Sequence, residues 1–253
     1  MAIRTDIPLG APIWTDLMTS DLSTAQAFYR AVFGWDFEQP GAQYGGYVNA
    51  RRGGEYVGGL MGANPESNAP DAWNVYLHTA DIQATAQKAQ AAGATVCLPP
   101  MEVPDKGWMA LLLDPTGAMF GLWQPTAHRG FGVGDEAGTP TWFQLTTTDF
   151  AAAAAFYAAV FGWQLQTEAD SDEFRYSTAV FDGAPVLGVM DGSVLPELAG
   201  SSWNCFWGTD DVDKTIEVIT ANGGSVVRAA EDTPYGRLAA VTDPTGAAFN
   251  LRG

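Results

Sequence analysis

Apolar and polar residues alternate across residues 13–18. Ile13, Thr15 and Leu17 fall on one side of an extended chain, and Trp14, Asp16 and Met18 on the other. A period of two predicts a strand with two unlike faces. Asp21 then stands where its side chain can accept from the free N–H groups of a first helical turn. Ala25, Phe28, Tyr29 and Val32 follow at helical spacing and give one apolar face, and Gly34 stops the helix. Three β-like runs come next, at residues 35–38, 44–51 and 56–61, separated by glycine-rich turns. The unit reads βαβββ. Its helix is expected to cover the strand face that carries Ile13 and Leu17. The face with Trp14 and Asp16 is then left to look into a cleft.

The pattern repeats. Residues 14–35, WTDLMTSDLSTAQAFYRAVFGW, align without a gap on residues 142–163, WFQLTTTDFAAAAAFYAAVFGW. Trp73 and Asn74 answer to Trp203 and Asn204, and DPTGAxF recurs at Asp114 and Asp243. A weaker echo inside each copy relates the stretch at Asp21 to the one at Asp81, so the chain reads as four similar units. Asp-Pro-Thr-Gly, at 114–117 and 243–246, predicts a tight hairpin turn. Between the copies lies QPTAHRGFGVGDEAGTP, with four glycines, as a linker would have. The expected division is a domain over 1–126, a linker over 127–139 and a domain over 140–253. One helix per mostly antiparallel set of strands places the protein in the α+β class.

Composition narrows the partners. Twelve basic residues stand against 29 acidic ones, for a net charge of −17. Such a surface repels phosphate backbones and anionic membranes, so neither nucleic acid nor membrane is an expected partner. No apolar run is long enough to cross a bilayer, and the N-terminal stretch lacks a signal-peptide pattern. The two cysteines, Cys97 and Cys205, make no disulfide framework. A cytoplasmic protein that meets small molecules is expected. A monomer is favoured because the duplication supplies internally what a single-domain homodimer provides between chains; a homodimer is the alternative.

The motifs D-x-x-x-A-x-A-F-Y-x-A-V-F-G-W, Trp-Asn and Asp-Pro-Thr-Gly, each present twice, together resemble the vicinal oxygen chelate superfamily. That superfamily includes glyoxalase I, bleomycin-resistance proteins, fosfomycin-resistance enzymes and extradiol dioxygenases. The likeness spans essentially the whole chain, in the manner of two-domain actinobacterial glyoxalase-like proteins. It implies four βαβββ modules paired into two domains with U-shaped sheets, each holding a divalent metal through His, Gln and Glu. Carried over one by one, the ligand positions fall on Trp14 and Trp142, on Asn74 and Asn204, and on Gly121 and Asn250. The fourth lies near Gly59 or Met61, and near Gly188 or Met190. None of these is a carboxylate or an imidazole, and a catalytic transition metal needs about three such ligands. The chain has two histidines, and His128 lies in the linker, so His78 alone could serve. No metal and no cofactor are expected, although a hard Mg²⁺ or Ca²⁺ site of oxygens stays open.

The candidates are therefore cleft residues. Trp14 and Trp142 either stack on a planar ligand or fill the vacated space. Asp16, whose counterpart is Gln144, is a general base, a ligand hydrogen-bonding group or a solvated strand residue. His78, whose counterpart is Gly208, is an acid/base group or a structural hydrogen-bonding residue. Asn74 and Asn204 bind polar ligand groups or close their strands. Tyr29 and Tyr157 are core. No phosphate loop and no nucleophile elbow occurs. The leading reading is a metal-independent small-molecule-binding protein of the sequestration or resistance type. Its first cleft would be walled by Trp14, Tyr47, Asn74, Tyr76, Met109 and Trp123 and take an apolar or aromatic metabolite or antibiotic. The alternative is an enzyme (a lyase, an isomerase or a cofactor-free oxygenase of secondary metabolism) using Asp16 or His78 as acid/base. A third reading has both clefts plugged.

Overall fold

The computed structural model describes residues 2–3, 6–64, 70–195 and 199–253. A short strand, β1 (Ala2–Ile3), precedes the first repeat. That repeat opens with β2 (Pro12–Thr19), α1 (Leu22–Phe33), β3 (Asp36–Glu38), β4 (Val48–Arg52) and β5 (Glu55–Gly62). It continues with β6 (Ala72–His78), α2 (Ile82–Ala91), β7 (Thr95–Val103), β8 (Gly107–Leu113) and β9 (Met119–Pro125). In the connection, β10 (Val133–Gly134) pairs with β1. The second repeat opens with β11 (Pro140–Thr147), α3 (Phe150–Phe161), β12 (Gln164–Asp170), β13 (Arg175–Phe181) and β14 (Ala184–Asp191). It ends with β15 (Ser202–Gly208), α4 (Val212–Ala221), β16 (Ser225–Thr233), β17 (Gly236–Thr242) and β18 (Ala248–Arg252). The architecture is α+β, as the pattern predicts.

Each repeat forms one eight-stranded sheet, ordered β3-β4-β5-β2-β6-β9-β8-β7 and β12-β13-β14-β11-β15-β18-β17-β16. In the first sheet β2–β5 and β6–β9 run parallel and the other pairs antiparallel. The sheet curls until its ends meet. The Tyr44 hydroxyl, just before β4, donates to the carbonyl of Pro104 in the β7–β8 turn at 3.1 Å. In the second sheet Tyr176 and Tyr235 approach to 5.8 Å between ring centroids. Each sheet thus has a concave and a convex face.

The helices start and stop as the residues dictate. The Asp21 side chain accepts from Thr24 N, and Gly34 closes α1 at φ 66°. Asp81, Asp149 and Asp211 cap α2, α3 and α4 in the same way. Two local details differ from the sequence pattern. Trp35 does not begin a strand: it is fully buried, and its Nε1 donates to the Gly138 carbonyl at 2.7 Å. Tyr44 sits in a 3₁₀ turn rather than in β4.

The larger departure concerns what the helices cover. They lie between the two sheets and pack on both. Phe28, Tyr29 and Phe33 of α1 contact Phe249 of the second repeat, and Phe33 also contacts Trp207. Reciprocally, Phe156, Tyr157 and Phe161 of α3 contact Phe120 of the first. Where no helix intervenes the convex faces touch, with Thr15 Oγ1 3.2 Å from Cys205 Sγ. One core serves both halves.

Matched hydrogen-bond relays cross it. Trp73 Nε1 donates to Tyr29 OH, which donates to Asp243 Oδ2 in the turn of the other repeat, at 3.0 and 3.1 Å. Trp203 Nε1, Tyr157 OH and Asp114 Oδ2 make the mirror relay at 3.1 and 3.0 Å. The other oxygen of each aspartate is held by its own turn, through the backbone N–H groups of Thr116 and Ala118 or of Thr245 and Ala247. The repeated Phe-Tyr, Trp-Asn and Asp-Pro-Thr-Gly motifs therefore meet at a joint between repeats, where buried polar groups find partners. Among the described residues, no helix is long and apolar enough to cross a membrane.

Candidate functional site

Because β2 alternates, burying Ile13 and Leu17 in the convex core turns Trp14, Asp16 and Met18 to the concave face. The antiparallel register sets Asp16 opposite Asn74 and Trp14 opposite Tyr76. Four of the sequence candidates thereby converge, and Tyr47 reaches them from the start of β4. Asn74 Nδ2 donates to Asp16 Oδ1 at 3.2 Å, and Tyr47 OH donates to Oδ2 at 3.5 Å. The Tyr76 hydroxyl is a third donor to the same carboxyl. Trp14 Nε1 donates to Tyr47 OH at 2.8 Å.

Among the described residues, no cation pairs with Asp16. Burial pushes its carboxyl up to about 6, and the hydrogen bonds from Asn74, Tyr76 and Tyr47 pull the other way without cancelling that. The hydroxyls of Tyr47 and Tyr76 are held well above the ordinary phenol range, by burial first and by the Asp16 charge second. They remain donors. Asp16 as a whole residue is half-buried.

The metal expected of the resembled family does not fit this arrangement. A side chain at position 59 would collide with the Tyr47 hydroxyl, and one at position 121 with the Tyr76 ring. Glycine at both positions lets two tyrosine rings fill the space where ligands would project. Among the described residues no three His, Cys, Asp or Glu side chains converge to hold a metal ion. The one carboxylate present is engaged by hydrogen-bond donors.

The remaining candidates gather elsewhere on the face. Met109 pairs with Trp123, and Trp123 lies beside His78 in the β6–β9 register. His78 is four residues from Asn74 along β6, roughly 13 Å at strand rise. Its Nδ1 lies 2.7 Å from the Ile7 carbonyl, which ties it to the N-terminal segment. His78 and Asp16 do not form one catalytic pair.

His128 was unforeseen by the linker reading. The chain leaving β9 folds back over the concave face and sets His128 against Trp14, with centroids 4.4 Å apart and planes at 80°. Tyr56 stacks on the imidazole at 5.3 Å, and Trp123 Nε1 donates to the His128 carbonyl at 2.9 Å. Gly130 N donates to Nδ1 at 3.1 Å, which puts the proton on Nε2, a buried atom without a partner among the described residues. Burial, then the nearby Lys106 charge, lower this imidazole to about 4, so it is neutral at ordinary pH. Phe131 completes the cover at 5.6 Å. Trp14 is left 4% exposed, with little ring surface for a stacked ligand. A histidine in a glycine-rich stretch gives no periodic signal of this role.

The second concave face repeats the frame with other chemistry. Trp142 Nε1 donates to Tyr176 OH at 3.0 Å, and a side chain at 188 would meet that hydroxyl. Tyr176 is thus the counterpart of Tyr47, hidden in the sequence by unequal loops. Gln144 Nε2 and Asn204 Nδ2 both turn to Thr146 Oγ1, each at 3.2 Å. Phe206 stands where Tyr76 does, so no hydroxyl cluster forms. Two cavities lie away from both faces. One of about 400 Å³ opens between the repeats around Phe33, Arg52, Gly138 and Lys214. The other, about 360 Å³, lies beside Asp81, Trp108 and Gln124. Neither includes Asp16, and neither gathers convergent perturbed groups.

Comparison with known proteins agrees with this frame. Residues 13–123 match the family model of a glyoxalase-like domain, and residues 139–251 that of the Glyoxalase/Bleomycin resistance protein/Dioxygenase superfamily. The chain is 34% identical to a putative glyoxylase, CFP32, of Mycobacterium tuberculosis, covering 99% of this chain and 97% of that protein. It is 31% identical to the anthracycline biosynthesis protein DnrV of Streptomyces peucetius, covering 96% and 92%. Among solved structures, the 2,3-dioxygenase LapB from a Pseudomonas species superposes with a TM-score of 0.66 at 17% identity, over 96% of this chain and 92% of that one. A Mn(II)-bound glyoxalase from Novosphingobium aromaticivorans gives 0.67 at 15% identity, over 96% and 81%. At such identities the structures speak for the fold alone.

Proposed function

Because the chain belongs to the Glyoxalase/Bleomycin resistance protein/Dioxygenase superfamily, we propose that it is a member that has exchanged metal chemistry for hydrogen bonding. In this reading the first concave face binds a mainly apolar, planar aromatic molecule without metal, and Asp16 is its polar anchor. The observation that carries the reading is the Asp16 cluster. Tyr47 and Tyr76 fill the metal-ligand space above Gly59 and Gly121 and, with Asn74, turn their donors on one carboxyl. Trp14 serves from behind, fixing Tyr47 through Nε1. A carboxyl held by two phenols and an amide suits a ligand carrying a hydroxyl. The description of a full-length relative as an anthracycline biosynthesis protein supports a polycyclic aromatic as the ligand class.

A second reading rests on the raised carboxyl. A group near pH 6 changes protonation close to neutrality, as a general base does, and the two phenols beside it would stabilise an oxyanion formed by proton removal. The reaction class would be proton transfer within an isomerisation or elimination. Thermal-shift titration of chelator-stripped protein with planar phenols tests binding. A rise in melting temperature that Asp16→Asn abolishes is expected. A rise that requires added divalent metal would overturn the proposal.

A further inference from the structure

The two concave faces differ in charge and in access. On β18, Phe249 and Leu251 enter the convex core, which turns Asn250 and Arg252 to the concave side. The guanidinium of Arg252 lies over the Trp142 ring, 6.0 Å from its centroid, and Nε donates to the Tyr235 carbonyl at 3.1 Å. Among the described residues it meets no carboxylate, and its two terminal nitrogens make no hydrogen bond. By contrast, Arg175 and Arg237 of the same repeat are each held by two aspartates. The matching position in the first repeat is Trp123, roofed by the linker. Here Trp142 and Arg252 both keep solvent contact, and Tyr235 is 45% exposed. Gln144 stands where Asp16 would repel an anion.

We infer that the second concave face is a separate site for a planar aromatic carboxylate, with Arg252 as its anion anchor and Trp142 and Tyr235 as its walls. The guanidinium presents two parallel N–H donors, the geometry that a carboxylate accepts. Trp142 is a half-buried indole, and Tyr235 is an exposed phenol whose own carbonyl holds Arg252 Nε. The Tyr176 hydroxyl accepts from Trp142 and has its own proton left to donate. The first face, where the Asp16 carboxyl stands in place of Gln144, would disfavour the same ligand. This site stands independently of the function proposed for the first face.

Calorimetric titration of the whole chain with naphthoate, and with naphthamide as the uncharged isostere, tests the inference. Wild-type protein is expected to bind the acid about tenfold or more tightly than the amide, and less tightly as salt is added. Arg252→Gln should lower naphthoate affinity to that of the amide, with an unchanged melting temperature as the folding control. The amide comparison needs no variant and stands if that variant misfolds. Equal affinities for acid and amide, or no naphthoate binding, would overturn the site. So would binding that Arg252→Gln leaves intact, which would move the acid elsewhere without touching the reading of Asp16.

Discussion

Replacing Asp16 by asparagine should change how stability responds to pH in a calculable way. In the folded chain burial raises this carboxyl from the ordinary 3.8 to about 6. The folded state therefore holds the proton more tightly than the unfolded state, and stability falls as pH rises from below 3.8 through 6. At pH 8 the full penalty applies, and at pH 4 little of it does. At 1.36 kcal/mol per unit, wild type should lose about 2–3 kcal/mol between pH 4 and pH 8 that Asp16→Asn does not lose. The other acidic groups titrate alike in both proteins and cancel in the difference. Urea unfolding of both chains across that range measures it. Parallel stability curves would refute a buried carboxyl without a cation, and with it the polar anchor of the first face.

Other consequences follow from packing. Tyr29→Phe removes the hydroxyl that satisfies buried Asp243 and should cost about 1–3 kcal/mol, as should Tyr157→Phe for Asp114. Since each relay crosses between repeats, denaturant should unfold the chain in one transition; two separate transitions would contradict the shared core. Gly59→Ala and Gly188→Ala put a methyl group against Tyr47 and Tyr176. Each should cost about 1–3 kcal/mol in a melting assay, and neutral substitutions would show that the rings do not occupy that space. Trp14→Phe removes the donor to Tyr47 and part of a buried ring packed on His128 and Phe131. It should lower the melting temperature and weaken binding of a planar phenol several-fold at temperatures where the variant is folded, and unchanged affinity would deny Trp14 its supporting role.

Much of the fold was legible because the chain states it twice. Capping aspartates, terminal glycines and the alternation of β2 are local signals, and the duplication confirmed each against a second copy. The same alternation assigned Trp14, Asp16, Asn74 and Tyr76 to one face, since strand parity needs no knowledge of the partner strand. What stayed hidden depends on contacts distant in sequence. Tyr29 lies 214 residues from Asp243, so it reads as a core residue and not as half of a joint. His128 sits in a stretch composed like a linker, and its role comes from the path of the chain back over Trp14. His78 has the right parity, but its partner is the Ile7 carbonyl, delivered by a segment without regular pattern. Arg252 drew no notice because its neighbour Trp142 is 110 residues earlier.

On the first concave face, hydrogen-bonded tyrosines stand around Asp16 in the space that metal ligands would take. Elemental analysis of the chain, purified without chelator and dialysed, tests that directly. Divalent metal far below one ion per chain is the predicted result. One ion per chain that survives dialysis and is lost in Asp16→Asn would contradict it.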